Sequence, residues 1–197
     1  GHSSALSYLK FGLYQAEGFI VVTGDIGAGK TTLVRTLLSD IDTEKVVAAQ
    51  LVSTQLDADD TLRLVGAAFG LRTKDVAKSD VLMSLEAFLI SMATKGKRCL
   101  LVVDEVQNLT ARAVEELRML SNFQYGNQAL LQSFLIGQPE FRQILQSPHM
   151  MQFRQRVIAA CHIGPLDVIE TQGYIEHRLK LAGATEQSPQ ISGEAYE

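Results

Sequence analysis

The run Gly24-Asp25-Ile26-Gly27-Ala28-Gly29-Lys30-Thr31-Thr32 has the spacing G-x-x-x-x-G-K-[ST], which is the spacing that wrapping a polyphosphate requires. Several backbone N–H groups must meet the phosphate oxygens at once, and only residues without Cβ let the chain come that close. Lys30 supplies an ammonium for the β- and γ-phosphates, and Thr31 a hydroxyl for the magnesium ion that accompanies a nucleoside triphosphate. The residues after Thr32 are helix-like, so the loop also faces the positive end of a helix dipole. The expected ligands are ATP and Mg2+.

A second group can cut what the first holds. Cys99-Leu100-Leu101-Val102-Val103-Asp104-Glu105 is an apolar strand ending in two acids. Asp104 suits the metal, and Glu105 suits a general base that polarises the attacking water. A phosphate switch or a kinase needs the first acid without needing the second. Gln138, after the apolar run ending at Ile136-Gly137, either senses the γ-phosphate or caps the turn before Pro139. Arg156, and behind it Arg154, can serve as an arginine finger for a neighbouring copy's nucleotide or can be solvated helix-end cations. Ser53 and Thr54 are further candidates, as a pair that holds Glu105 inactive. The histidines at 2, 149, 162 and 177 lack H-E-x-x-H spacing, so no metal site independent of nucleotide is expected, and His162 reads as a satisfied core residue.

These residues need a scaffold that delivers strand ends to one place. Apolar runs predict strands at 19–22, 46–53, 98–103, 130–136 and 157–163, with helices at 33–39, 60–69, 81–92, 111–123, 140–145, 150–155 and 168–182. Ser79 is the expected cap of the helix at 81–92, whose stripe Val81, Leu85, Phe88 and Met92 is read as packing. Most of the strands are apolar runs rather than alternating, as in a parallel sheet covered on both faces. The predicted fold is therefore α/β, a P-loop three-layer sandwich with a five-stranded parallel sheet over 1–164. A break at Gly164-Pro165 begins a partial helical lid over 165–197.

Composition excludes some alternatives. The 197 residues are 46% hydrophobic with a formal net charge of −4, which suits one domain with a small appendage and argues against a basic nucleic-acid scaffold. Cys99 and Cys161 stand apart with no C-x-x-C, and read as buried cytosolic thiols. The chain starts without Met and stops where a new helix is expected to begin, so it is read as an excised fragment. No [NT]-K-x-D follows Asp104, and adenine is preferred over guanine.

The same motifs resemble a known family. Gly18 to Gly24, Asp104-Glu105-Val106-Gln107-Asn108-Leu109, Leu117 to Phe123, Leu135 to Glu140, Phe153 to Val157, Gly164-Pro165-Leu166 and Tyr174 to Leu179 are similar to the AAA+ ATPases of bacterial secretion loci of the ExeA/GspA type. The segment from Arg156 to His162 looks most like the secretion ATPases of PEP-CTERM/exosortase exopolysaccharide loci, because the other secretion relatives tend to carry a second arginine where Ala160 stands. The resemblance implies ATP hydrolysis, a ring or partial ring in which an arginine of one subunit meets the next subunit's ATP, a cytoplasmic place at the inner membrane, and work on membrane-associated export machinery. It also implies a sensor arginine in a lid beyond residue 197. Two other functions share these motifs: a nucleic-acid-associated ATPase of transposition or replication initiation, and a nucleotide-gated adaptor with little turnover.

Overall fold

The computed structural model describes residues 2–52 and 58–164. The predicted helix at 168–182, the lid over 165–197 and the Ser53/Thr54 pair lie outside the described residues.

Five parallel strands form the main sheet: β1 (Phe19–Gly24), β2 (Val46–Val52), β3 (Arg98–Asp104), β6 (Leu131–Gly137) and β7 (Val157–Ile163). Their order across the sheet is β2-β3-β6-β1-β7. The short strands β4 (Gln124–Tyr125) and β5 (Gln128–Ala129) form a separate antiparallel hairpin. The α/β sandwich follows from the burial of both sheet faces. In β1 every residue is buried. Phe19 and Val21 join the cluster beneath α3 (Ala58–Ala68), α4 (Lys78–Thr94), α5 (Ala111–Leu120), α6 (Glu140–Gln146) and α7 (Met151–Arg154). Ile20 and Val22 join the opposite cluster with α1 (His2–Gln15) and α2 (Lys30–Ser39). Two apolar faces on one strand allow no polar alternation, which is why these strands read as unbroken runs.

Helix α4 starts at Lys78 with Ala77 as its N-cap, so Ser79 lies inside the first turn rather than capping it. The Ala77 carbonyl accepts from both Asp80 N and Val81 N, and the Asp80 carboxylate in the first turn suits the helix dipole. Val81, Leu85 and Leu89 are buried, while Phe88 and Met92 pack on the core's margin. Cys99 is buried, and burial pushes its thiol up to about 11, which leaves it chemically quiet at neutral pH. Cys161 is only half-buried. Among the described residues, no helix is long and apolar enough to cross a membrane.

One aromatic contact pins α7 to the sheet. Phe153 is buried and its ring stands 4.4 Å from that of Phe19. Phe153→Ala is expected to lower unfolding free energy by about 3–4 kcal/mol, the usual cost of emptying a fully packed phenylalanine site. Urea denaturation checks this, and a loss below about 1 kcal/mol would mean that the site collapses freely.

Candidate functional site

Strand order creates the site. Because β6 lies between β1 and β3, the carboxyl ends of these strands present Gly24, Gln138 and Asp104 side by side. Thr23 is level with Gly137, and Val103 with Leu135. Open α/β sheets hold ligands at this end.

The 24–32 loop is shaped for an anion. Gly27 and Gly29 have φ of 83° and 91°, a left-handed geometry that residues with Cβ adopt only under strain. Gly29 is the N-cap of α2, so the loop turns directly into a helix amino terminus. Asp25 and Ile26 form its exposed tip, Ala28 is buried, and Thr31 and Thr32 are exposed on the first turn of α2. Lys30 Nζ donates to Gly24 O at 2.6 Å and to Asp25 O at 3.1 Å, which holds the ammonium across the loop. Beside it, Thr23 Oγ1 is hydrogen-bonded to His162 Nδ1 at 3.0 Å. His162 is therefore exposed at the end of edge strand β7, not the core residue expected from its apolar surroundings in the sequence.

Thr31 and Asp104 line one cavity of about 580 Å³ with Gln50, Val52, Arg35 and Ile136. A hydroxyl and a carboxylate facing one space form a hard-oxygen donor set that fits Mg2+ beside phosphates. Asp104 Oδ1 also accepts from Glu105 N at 2.8 Å. Glu105 has φ 57° and ψ 41°, a left-handed conformation that costs a residue with Cβ about 1–2 kcal/mol. That kink turns β3 into the short 3-10 turn Val106–Asn108.

Sequence reasoning did not assign a role to Gln107. Its Nε2 donates to Glu105 Oε2, and its Oε1 accepts from Gln138 N at 3.0 Å. The signal available was an amide two residues after a strand-terminal acid pair, but only the sheet order shows what the amide spans.

The arginines lie elsewhere. Arg156 immediately precedes β7, and its carbonyl accepts from Phe19 N at 2.8 Å, which fixes it at the amino end of the sheet. Five strand steps from Phe19 to Gly24 separate that end from the loop by about 17 Å. Arg156 thus lies far from its own chain's phosphate loop. Its Nη2 donates to Ser121 O at 2.7 Å. Arg154 is exposed and donates to the carbonyls of Leu145 and Ser147.

Comparison with known proteins bears on the family and the fold. A family model described as AAA domain matches residues 13–145. The chain is similar to General secretion pathway protein A of Aeromonas hydrophila, with 36% identity over 186 residues, covering 94% of this chain and 34% of that protein. It thus spans about a third of that relative's length. Among solved structures it resembles the Aeropyrum pernix ORC2 protein in its ADP form, with a TM-score of 0.66 and 17% identity over 91% of this chain and 51% of the other. Cdc6p from Pyrobaculum aerophilum aligns with a TM-score of 0.63 and 15% identity, over 98% of this chain and 52% of the other. At such low identities these likenesses show the fold alone. The match over residues 13–145 covers most of the sequence, and the chain belongs to the AAA domain family.

Proposed function

We propose that the chain binds ATP with Mg2+ in the 24–32 loop and hydrolyses it to ADP and phosphate. The observation that carries the reading is the convergence of Lys30, Asp104, Glu105 and Gln138 at one end of the sheet. Loop N–H groups and Lys30 hold the polyphosphate. Thr31 and Asp104 would hold Mg2+, which would supply charge neutralisation at the phosphates. Glu105 takes a proton from the attacking water, whose oxygen bonds to the γ-phosphorus as the bond to the ADP oxygen breaks. Gln138 orients the water or contacts the departing phosphate.

The biological setting we propose is bacterial secretion, in the form of exopolysaccharide export from PEP-CTERM/exosortase loci, with peripheral attachment at the cytoplasmic face of the inner membrane. The likeness to General secretion pathway protein A supports the first part, and the segment from Arg156 to His162 the second. A Glu105→Gln allele introduced at the native locus tests it. Loss of polymer export supports the assignment, and normal export with unchanged protein level rejects it.

Ring or partial-ring assembly completes the proposed site. Arg156 lies too far from its own loop, so it serves a neighbour's ATP once it exchanges its bond to Ser121 O. ATPase activity per molecule is expected to rise with protein concentration, and Arg156→Ala to remove at least ~10-fold of that increment with its unfolding midpoint retained. A rate that is flat with concentration and unaltered by the substitution would exclude a shared site. The assay uses both this chain and one extended past Glu197, because residues 165–197 are proposed as only part of a lid.

A further inference from the structure

Gln107 links two parts of the site that no covalent path joins directly. Its backbone sits in the 3-10 turn after β3, where buried Val106 anchors it. Its amide nitrogen donates to the Glu105 carboxylate, and its amide oxygen accepts from the main-chain N–H of Gln138 at 3.0 Å. A primary amide can do both at once, since it carries donors on nitrogen and acceptor pairs on oxygen. An ionised acid of the same length lacks the donor, and an ammonium lacks the acceptor.

The neighbouring glycine makes room for this amide. A Cβ on Gly137 would lie 2.8 Å from Gln107 Oε1 and 2.7 Å from Val106 Cγ2. Both are closer than real Cβ contacts, so any larger residue at 137 displaces the amide or the turn beneath it. The glycine sits at the end of β6, with Gln138 immediately after it.

Resting on the ATPase reading above, we propose that Gln107 is a positioning residue that couples the Glu105 carboxylate to the position of Gln138. A γ-phosphate contact that fixes Gln138 would also fix its main-chain N–H. The Gln107 oxygen follows that N–H and the nitrogen carries the carboxylate with it. Glu105 is thereby aimed at water when the phosphate end of β6 is in register. Hydrogen bonds supported in this way set catalytic groups to within fractions of an ångström, and misplacement by about 1 Å costs up to ~100-fold in rate.

Gln107→Glu is the central test, because it keeps length and one acceptor for Gln138 N–H but turns the donor into a carboxylate facing Glu105. It is expected to lower kcat at least ~10-fold with the ATP dissociation constant within about twofold, since the interaction acts on the base rather than on binding. Gly137→Ala, which removes no polar group, is expected to act in the same direction. In a Glu105→Gln background, Gln107→Ala is expected to change the residual rate less than about twofold, because the residue through which it acts is already gone. Parent-like kcat in Gln107→Glu, with Glu105→Gln inactive, overturns the coupling and leaves the ATPase reading standing.

A second readout needs no turnover. Exchange of the Gln138 amide hydrogen is expected to quicken by about 10-fold in Glu105→Ala, because Gln107 links the Glu105 side chain to that N–H. Unchanged exchange overturns the proposal. Absence of any ATP hydrolysis by the parent chain would instead sink the ATPase reading, and the exchange experiment would still decide whether Gln107 couples the two residues.

Discussion

Glu105→Gln is expected to slow ATP hydrolysis by at least ~100-fold while ATP affinity stays within about twofold of the parent, because a positioned general base contributes on the order of 10²–10⁴ in rate. Glutamine keeps the size of the side chain but cannot take a proton from water. The left-handed backbone at Glu105 shows that the fold tolerates strain to hold the carboxylate where β3 ends, a cost typical of functional positions. Gln107 then fixes its orientation. Steady-state phosphate release and calorimetric ATP titration, run on one preparation, check both halves. A rate that survives the substitution would assign the base to another group.

The second large effect is on binding. Lys30→Ala is expected to raise the ATP dissociation constant about 100-fold, as charge-assisted bonds to phosphate contribute about 1.5–3 kcal/mol each. Lys30 is the loop's one ammonium, and its bonds to Gly24 O and Asp25 O hold it beside the backbone N–H groups that would meet the phosphates. Overall stability should change little, since the side chain is only partly buried. Calorimetric titration with ATP and Mg2+ reads the effect, and a dissociation constant within about threefold of the parent would put the polyphosphate somewhere else.

The sheet was legible because its inner strands β1, β3 and β6 are buried on both faces. Runs such as 98–103 and 130–136 are of strand length and too short for a helix of the usual size, which is what favours a strand reading. The phosphate loop was legible for a different reason, since its glycines and lysine are required by the ligand and not by packing. Helix α1 was not read from the sequence. Leu6 and Leu9 are buried in it, but Tyr8, Phe11 and Tyr14 are exposed on another side, and two apolar stripes blur the period that marks a helix. The β4–β5 hairpin pairs only two residues per strand, too few for any alternation. His162 looked internal from its apolar neighbours, yet β7 is an edge strand and leaves it open beside Thr23.

Gln107 marks where sequence reasoning stops. Polar residues after a strand are ordinary turn chemistry, and nothing in the order of residues says that Gln138, 31 positions away, will place its N–H at the amide oxygen. That contact exists because β6 inserts between β1 and β3, a fact of topology that follows only when the whole sheet is assembled.

The most direct test of the ATPase account is single-turnover release of phosphate from protein preloaded with ATP and started with Mg2+. Complete release from the parent within minutes, with ATP remaining intact on Glu105→Gln, is the predicted result. ATP that stays intact on the parent for hours, in this chain and in one extended past Glu197, would contradict the account and make the domain a nucleotide-gated adaptor.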